Sequence, residues 1–200
     1  WRLGEERFIK NLDLFSNLKL RASWGKLGNQ NIGNIADPSN ADYFPYLTVL
    51  TQDYPNSHNF NNTLAPGAAI TALVDPNITW ETTTSTDFGF DMGFLNNRLN
   101  LEADYFRRLT TDIIVQLPIP SVLGNMGAPF ENVGKMKNTG MELGLTWQDQ
   151  DKGSGLSYSI GANLTYVDNE VTKFRGGKSP DQLFLIREGY SYKTLYGFIQ

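Results

Sequence analysis

The sequence predicts an all-β fold, an antiparallel transmembrane β-barrel of which this chain is an incomplete segment with long extracellular loops, and three observations carry that expectation. First, Phe88, Phe90, Met92 and Phe94 alternate with Asp87, Gly89, Asp91 and Gly93, the two-residue period of a strand with one greasy and one polar face. Second, the alternating runs are long. Strands in soluble domains usually stop at about five or six residues, whereas a tilted strand crossing a bilayer needs roughly nine to eleven. Third, the connections alternate between short and long, as in outer-membrane barrels with short periplasmic turns and long outer loops.

Taken in order, residues 1–10 alternate weakly and read as the end of an earlier strand, with a turn-like segment up to Asn17. Leu18, Leu20, Ala22 and Trp24 against Lys19, Arg21, Ser23 and Gly25 give a spanning strand over 18–27, broken at Gly28-Asn29. Residues 30–79 lose the period and collect Asn, Asp, Pro and Gly, a length unusual in a compact soluble domain but ordinary for an outer loop of a barrel. A strand over 82–95 follows. Asn96-Asn97 tolerates the left-handed turn conformation and reverses the chain into a strand over 98–117. There Leu99, Leu101, Ala103 and Tyr105 carry the greasy row, and Leu109, Thr111, Ile113, Val115 and Leu117 are expected to keep its phase until Pro118 and Pro120.

No charge enters these rows before Arg107, and a Lys or Arg facing the bilayer midplane would cost about 2–4 kcal/mol. Met141, Leu143, Leu145 and Trp147 mark a descending strand over 137–147, with Trp147 in a lower aromatic girdle. Leu156, Tyr158, Ile160, Ala162, Leu164 and Tyr166 mark an ascending strand over 156–167, with a tyrosine near each end of the row. Closure takes at least about eight strands, because an open edge in lipid leaves backbone groups unpaired. Residues 1–200 are therefore expected to form one partial barrel, a piece of a longer protein.

Composition narrows the function. A net charge of -4 without a basic stripe argues against a nucleic-acid partner. The absence of Cys excludes disulfides, thiolate nucleophiles and Cys-bound metals. His58 is the sole histidine, so the chain offers no His-rich metal site of its own, and His58 reads as a surface residue. The acidic stretch beginning at Asp149 lacks the ligand spacing of a calcium loop and reads as a turn. No catalytic residue, metal or cofactor is expected, and the chain is not read as an enzyme. A mean hydropathy of -0.35 looks soluble, but a barrel interleaves lipid-facing residues with polar ones, so the average is uninformative.

Binding candidates lie in two places. Tyr43, Phe44, Tyr46, Tyr54 and Phe60, in an amide-rich loop, suit stacking on sugar rings, but suit still better packing of the loop on itself or on a lid partner. Asp87, Asp91, Glu102 and Asp104 fall on the lumen side. They suit a cargo path, or pairing with Lys19, Arg21, Arg98 and Arg108 or with a plug. Gly89, Gly93, Gly144 and Gly161 on that side suit close approach of a plug or relief of curvature.

Several stretches carry a resemblance: LKLRASWGKLGNQNIG (18–33), PNITWETTTSTDFGFDMGFLNNRLNLEADYFRRLTTDII (76–114), LPIP (117–120), NVGKMKNTGMELGL (132–145) and LYGF (195–198). In this order they resemble the C-terminal barrel region of SusC/RagA-type TonB-dependent outer-membrane transporters. The resemblance implies a large barrel in the lipid of the Gram-negative outer membrane, with an N-terminal plug and coupling to the TonB complex. It also implies import of a bulky nutrient under a SusD-like surface lipoprotein, with oligosaccharides the commonest cargo and peptides a variant. The plug and the TonB box are not among these residues. Two other readings of the alternation are a soluble β-sandwich carbohydrate-binding module and a passive porin-like channel.

Overall fold

The computed structural model of the chain describes residues 1–30, 45–48, 50–70, 72–124, 126–150, 155–176 and 184–195. Its strands are β1 (Asn17–Asn29), β2 (Leu50–Phe60), β3 (Thr63–Ile70), β4 (Glu81–Phe94), β5 (Leu99–Gln116), β6 (Phe130–Gln150), β7 (Ser157–Phe174) and the two-residue β8 (Phe184–Leu185) and β9 (Thr194–Leu195). The long alternating runs form one five-stranded sheet in the order β1-β4-β5-β6-β7, antiparallel at every step.

Register turns the sequence alternation into a surface. Leu20, Phe90, Ala103, Leu143 and Leu164 stand in one cross-strand row. Ala22, Phe88, Tyr105, Met141 and Tyr166 form the next row on one side, and Leu18, Met92, Leu101, Leu145 and Ala162 the next on the other. Phe94, Leu99, Trp147 and Ile160 close the band beside the short turns, where Phe15 tilts onto Phe94 at 5.2 Å between ring centroids. From Tyr158 to Tyr166 is about 26 Å along the strand, or about 20 Å of height at a tilt near 40°, close to the ~25 Å apolar band of an outer-membrane barrel.

Apart from Leu18, buried where residues 3–5 meet the edge strand β1, nothing among the described residues covers this band. Neither β2–β3 nor β8–β9 packs on it, and Phe88, Leu143 and Ile160 are 52%, 44% and 66% exposed. The accessible surface of 15253 Å² at 22.4 kDa far exceeds the about 9,400 Å² of a compact soluble monomer of that mass. Leu18, Phe106, Val133 and Val171 are the buried apolar side chains among the described residues, so the sheet has no sandwich core. The soluble-sandwich reading required Phe88, Leu101, Leu143 and Ile160 to meet a second sheet, and they do not.

Four local expectations are corrected. Residues 1–10 are not strand but a tight turn (Leu3–Glu5) and one helical turn (Arg7–Lys10). Trp1 alone pairs with β1, exchanging two 2.8 Å bonds with Leu20. Glu, Arg and Lys favour helix here, and Lys10 lies 2.6 Å from Glu5, its hydrogen bond and then its charge holding that carboxyl below its ordinary range. Within 30–79, β2 and β3 form a hairpin about Asn61 and Asn62, both with left-handed φ (47° and 66°). β6 and β7 also run well past the expected 137–147 and 156–167.

The fourth correction concerns β5. Between Thr110 opposite Met136 and Ile113 opposite Gly134, β5 spends three residues on two of β6. Asp112 takes φ 57° at this bulge, so the phase slips and Ile113 leaves the face that Leu109 shares with the greasy row. Asn132 braces the bulge. Its amide accepts from the Thr79 N–H (2.7 Å) and donates to the carbonyls of Thr79 (2.8 Å) and Asp112 (2.6 Å). The Glu81 carboxylate accepts the Ile114 N–H at 2.9 Å.

Candidate functional site: the polar face of the sheet

The face opposite the apolar band is built from the residues between the greasy ones. Lys19, Asp91, Glu102, Gly144 and Asn163 form one row, and Arg21, Gly89, Asp104, Glu142 and Thr165 the next. Arg21 is the hub. Its Nε donates to Asp91 at 2.9 Å and an Nη donates to Asp104 at 2.9 Å, joining β1, β4 and β5. Lys19 adds a second cation to Asp91 at 3.2 Å. Asp87 accepts from the hydroxyls of Ser23 (3.1 Å) and Ser85 (3.2 Å). These groups remain partly exposed, so the pairs order a wet wall more than they stabilise it.

The glycines are filled in by neighbours. A Cβ on Gly89 would collide with the Asp104 carboxylate and come within 3.1 Å of the Arg21 guanidinium, so bare backbone there leaves room for the ion pair. At Gly140 a Cβ would overlap the Phe106 ring and lie 2.7 Å from the Tyr166 carbonyl. The buried Phe106 ring occupies that space, with the Arg108 guanidinium 5.0 Å above it.

The expected sites separate accordingly. Asp87, Asp91, Glu102 and Asp104 share the polar face, and Lys19 and Arg21 pair with it as one of the two expectations held. Arg98 instead bonds Asp149 at 3.3 Å, Arg108 turns to Phe106, and Glu102 has no ion pair among the described residues. Ser23, Ser85 and the Phe106–Gly140 contact are features of this face that alternation did not single out. Gly140, one of three glycines in the 132–145 stretch, was the signal for the last of them.

Among the loop aromatics, Tyr46 is 45% and Phe60 63% exposed, with the Phe60 ring edge-on to His58 at 4.8 Å. Tyr54 lies in β2, but its side chain, like Tyr43 and Phe44, falls outside the described residues. No described helix is long and apolar enough to cross a membrane, which says nothing of crossing by strands.

A twisted antiparallel sheet with an uncovered apolar band between aromatic girdles and a charged opposite face is the wall of a membrane-spanning β-barrel. Residues 7–198 match the family model for the TonB dependent receptor-like β-barrel, and the chain belongs to that family, in its SusC/RagA type. The TonB-dependent receptor SusC of Bacteroides thetaiotaomicron is 33% identical over 186 residues, which is 90% of this chain and 17% of that protein. TonB-dependent receptor P26 of Formosa agariphila is 34% identical over 145 residues, 72% of this chain and 13% of that one. The solved RagAB peptide importer in its closed-closed state superposes with a TM-score of 0.74 at 30% identity, over 95% of this chain and 20% of that one. The chain thus spans less than a fifth of the length of the curated relatives just named.

Proposed function

We propose that these residues are part of the barrel wall of an active importer in the Gram-negative outer membrane, carrying oligosaccharides inward together with a SusD-like surface lipoprotein. The observation that carries this reading is the register-aligned apolar band on one face of a single sheet whose other face is charged. Lipid meets the first face and the lumen or a plug the second. Energy comes from the TonB complex through parts of the protein outside these 200 residues, and the chain performs no bond chemistry. Tyr43, Phe44, Tyr46, Tyr54 and Phe60 are the proposed cargo contacts at the outer mouth, and Asp87, Asp91, Glu102 and Asp104 line the lumen. Similarity to the RagAB peptide importer favours peptides as the second cargo reading.

Uptake by cells carrying the full-length protein tests the proposal. Growth on an oligosaccharide as sole carbon source is expected to require the protein, its lipoprotein partner and TonB. Uptake that persists without TonB identifies a passive porin-like channel, and uptake of peptides alone moves the cargo to the second reading. Full-length protein soluble without detergent overturns the membrane reading itself.

A further inference from the structure

Above the girdle formed by Tyr105 and Tyr166, the outward face changes character. Its next row is Trp24, Thr86, Arg107, Thr139 and Asp168, followed by Lys26, Thr84, Leu109, Lys137 and Glu170. Lys135, two residues beyond Lys137 on β6, keeps the same face. On β7 a bulge intervenes: Val171 opposes Met136, yet Lys173 opposes Lys135, so β7 spends two residues on one of β6. The extra residue, Thr172, brings Lys173 to the outward face directly beside Lys135.

Two like charges facing each other across adjacent strands destabilise a sheet. Lys137 is paired with Glu170, but Lys135, Lys173, Lys26 and Arg107 have no carboxylate partner among the described residues. The whole chain carries a net charge of -4, and the opposite face holds Asp87, Asp91, Glu102, Asp104 and Glu142. Above the lipid band the outward face thus sets Lys26, Arg107, Lys135, Lys137 and Lys173 against Asp168 and Glu170, an excess of cations, whereas in the inward rows beside the band these carboxylates outnumber Lys19 and Arg21.

We propose that this collar, centred on Lys135 and Lys173, binds phosphate groups of a lipid headgroup in the outer leaflet. The inference rests on the barrel reading above and adds a lipid ligand to it. Height selects the ligand. Lys137 and Lys135 stand about 10 Å and 15 Å above the Tyr105–Met141–Tyr166 row at a tilt near 40°. A phospholipid headgroup layer is only about 5–8 Å deep. The headgroup therefore stands taller and carries phosphate on a saccharide, as a phosphorylated lipopolysaccharide does. An anion between Lys135 and Lys173 converts a repulsive cross-strand pair into a bridged one.

The test uses the full-length protein in detergent and vesicles of phosphatidylethanolamine doped with phosphorylated lipopolysaccharide, or with the same lipid after phosphatase treatment. Wild type is expected to prefer the phosphorylated vesicles. Lys135→Gln with Lys173→Gln should weaken that binding about thirtyfold, each lysine near a charged surface contributing about a fivefold effect. Lys135→Arg with Lys173→Arg should keep it. Equal binding of both vesicles by wild type overturns the proposal, as does an unchanged preference in the Gln variant. Displacement of the vesicles by inorganic phosphate at matched phosphate concentration assigns the site to a free anion and overturns the lipid ligand. Heat-modifiable migration of wild type and of the Arg variant reports separately on barrel assembly, so a failure of the collar is distinguishable from a failure of the membrane reading.

Discussion

On one face of β4, Phe88 and Phe90 stand about half exposed with nothing over them, while on the other face Asp87 and Asp91 are each held by two neighbours. The same backbone meets two solvents. Apolar side chains in hydrocarbon need no partner, since lipid tails match them, and their register supplies a continuous band. Polar groups on the opposite face gain from local pairing yet keep contact with solvent, and Arg21, Asp91 and Asp104 are partly exposed. Stability on the outward face is therefore set by what each side chain is made of, and on the inward face by what it touches.

The largest effect should separate those two rules. Phe90→Arg places a cation in the middle of the band and is expected to cost about 2–4 kcal/mol, abolishing the heat-modifiable folded form of the full-length protein. Asp91→Arg, one residue away, faces water and should leave that form intact, read by gel migration and urea midpoint. Equal loss in both variants would break the assigned phase. Next comes close fit. Gly140→Ala puts a methyl against the Phe106 ring and the Tyr166 carbonyl, for an expected cost of about 1–3 kcal/mol. Adding Phe106→Leu frees the ring but not the carbonyl, so rescue should be partial. Ala103→Val, over the outward groove between Phe88, Tyr105 and Leu143, should cost less than either, because lipid adjusts to a methyl and a packed ring does not.

How much of this was legible follows from the same contrast. The β4–β5 hairpin could be read because one face meets lipid, which forces strict alternation, and because Asn96-Asn97 marks its turn, with φ 58° and 61°. The hairpin of β2 and β3 carries the same Asn-Asn signal at Asn61-Asn62, yet neither strand has a greasy face to impose a period, and the pairing shifts register between Asp53 and His58. The upper ends of β6 and β7 were hidden for a related reason: above the band no lipid-facing row imposes a period, and a bulge at Thr172 breaks the alternation around the buried Val133 and Val171. The bulge at Asp112 had only a weak cue, the tolerance of Asp for left-handed φ. On the polar face, alternation placed Asp87, Asp91, Glu102 and Asp104 together, but not which cation reaches which carboxylate. The Arg21–Asp104 bond joins residues 83 apart through a strand between them, a matter of register.

Above the band, where neither solvent rule applies cleanly, a single polar side chain sets the geometry. Asn132→Ala removes four bonds, to the Thr79 N–H, hydroxyl and carbonyl and to the Asp112 carbonyl. The expected cost is about 1–2 kcal/mol, confined to the bulge. Hydrogen exchange at Thr79 and Ile114 should quicken while the amides of Phe90 and Leu101 stay protected. Exchange that quickens throughout the sheet would show that the bulge is not a separable element.

The smallest effect is the most discriminating for the inward face. Arg21 bridges Asp91 and Asp104 with 40% of its side chain exposed, and exposed pairs of this kind are worth about 0–1 kcal/mol. Arg21→Gln should therefore shift the urea midpoint of the full-length protein slightly at low salt. The shift should shrink further at high salt, as the screening length falls to about 3 Å at 1 M. In a dry interior the same substitution would strand the Asp104 carboxylate, leave Asp91 with Lys19 alone and cost about 3–5 kcal/mol, insensitive to salt. A loss of that size would mean that Arg21, Asp91 and Asp104 do not face water, and the two-solvent contrast between the faces would fail at its polar half while the lipid band stood.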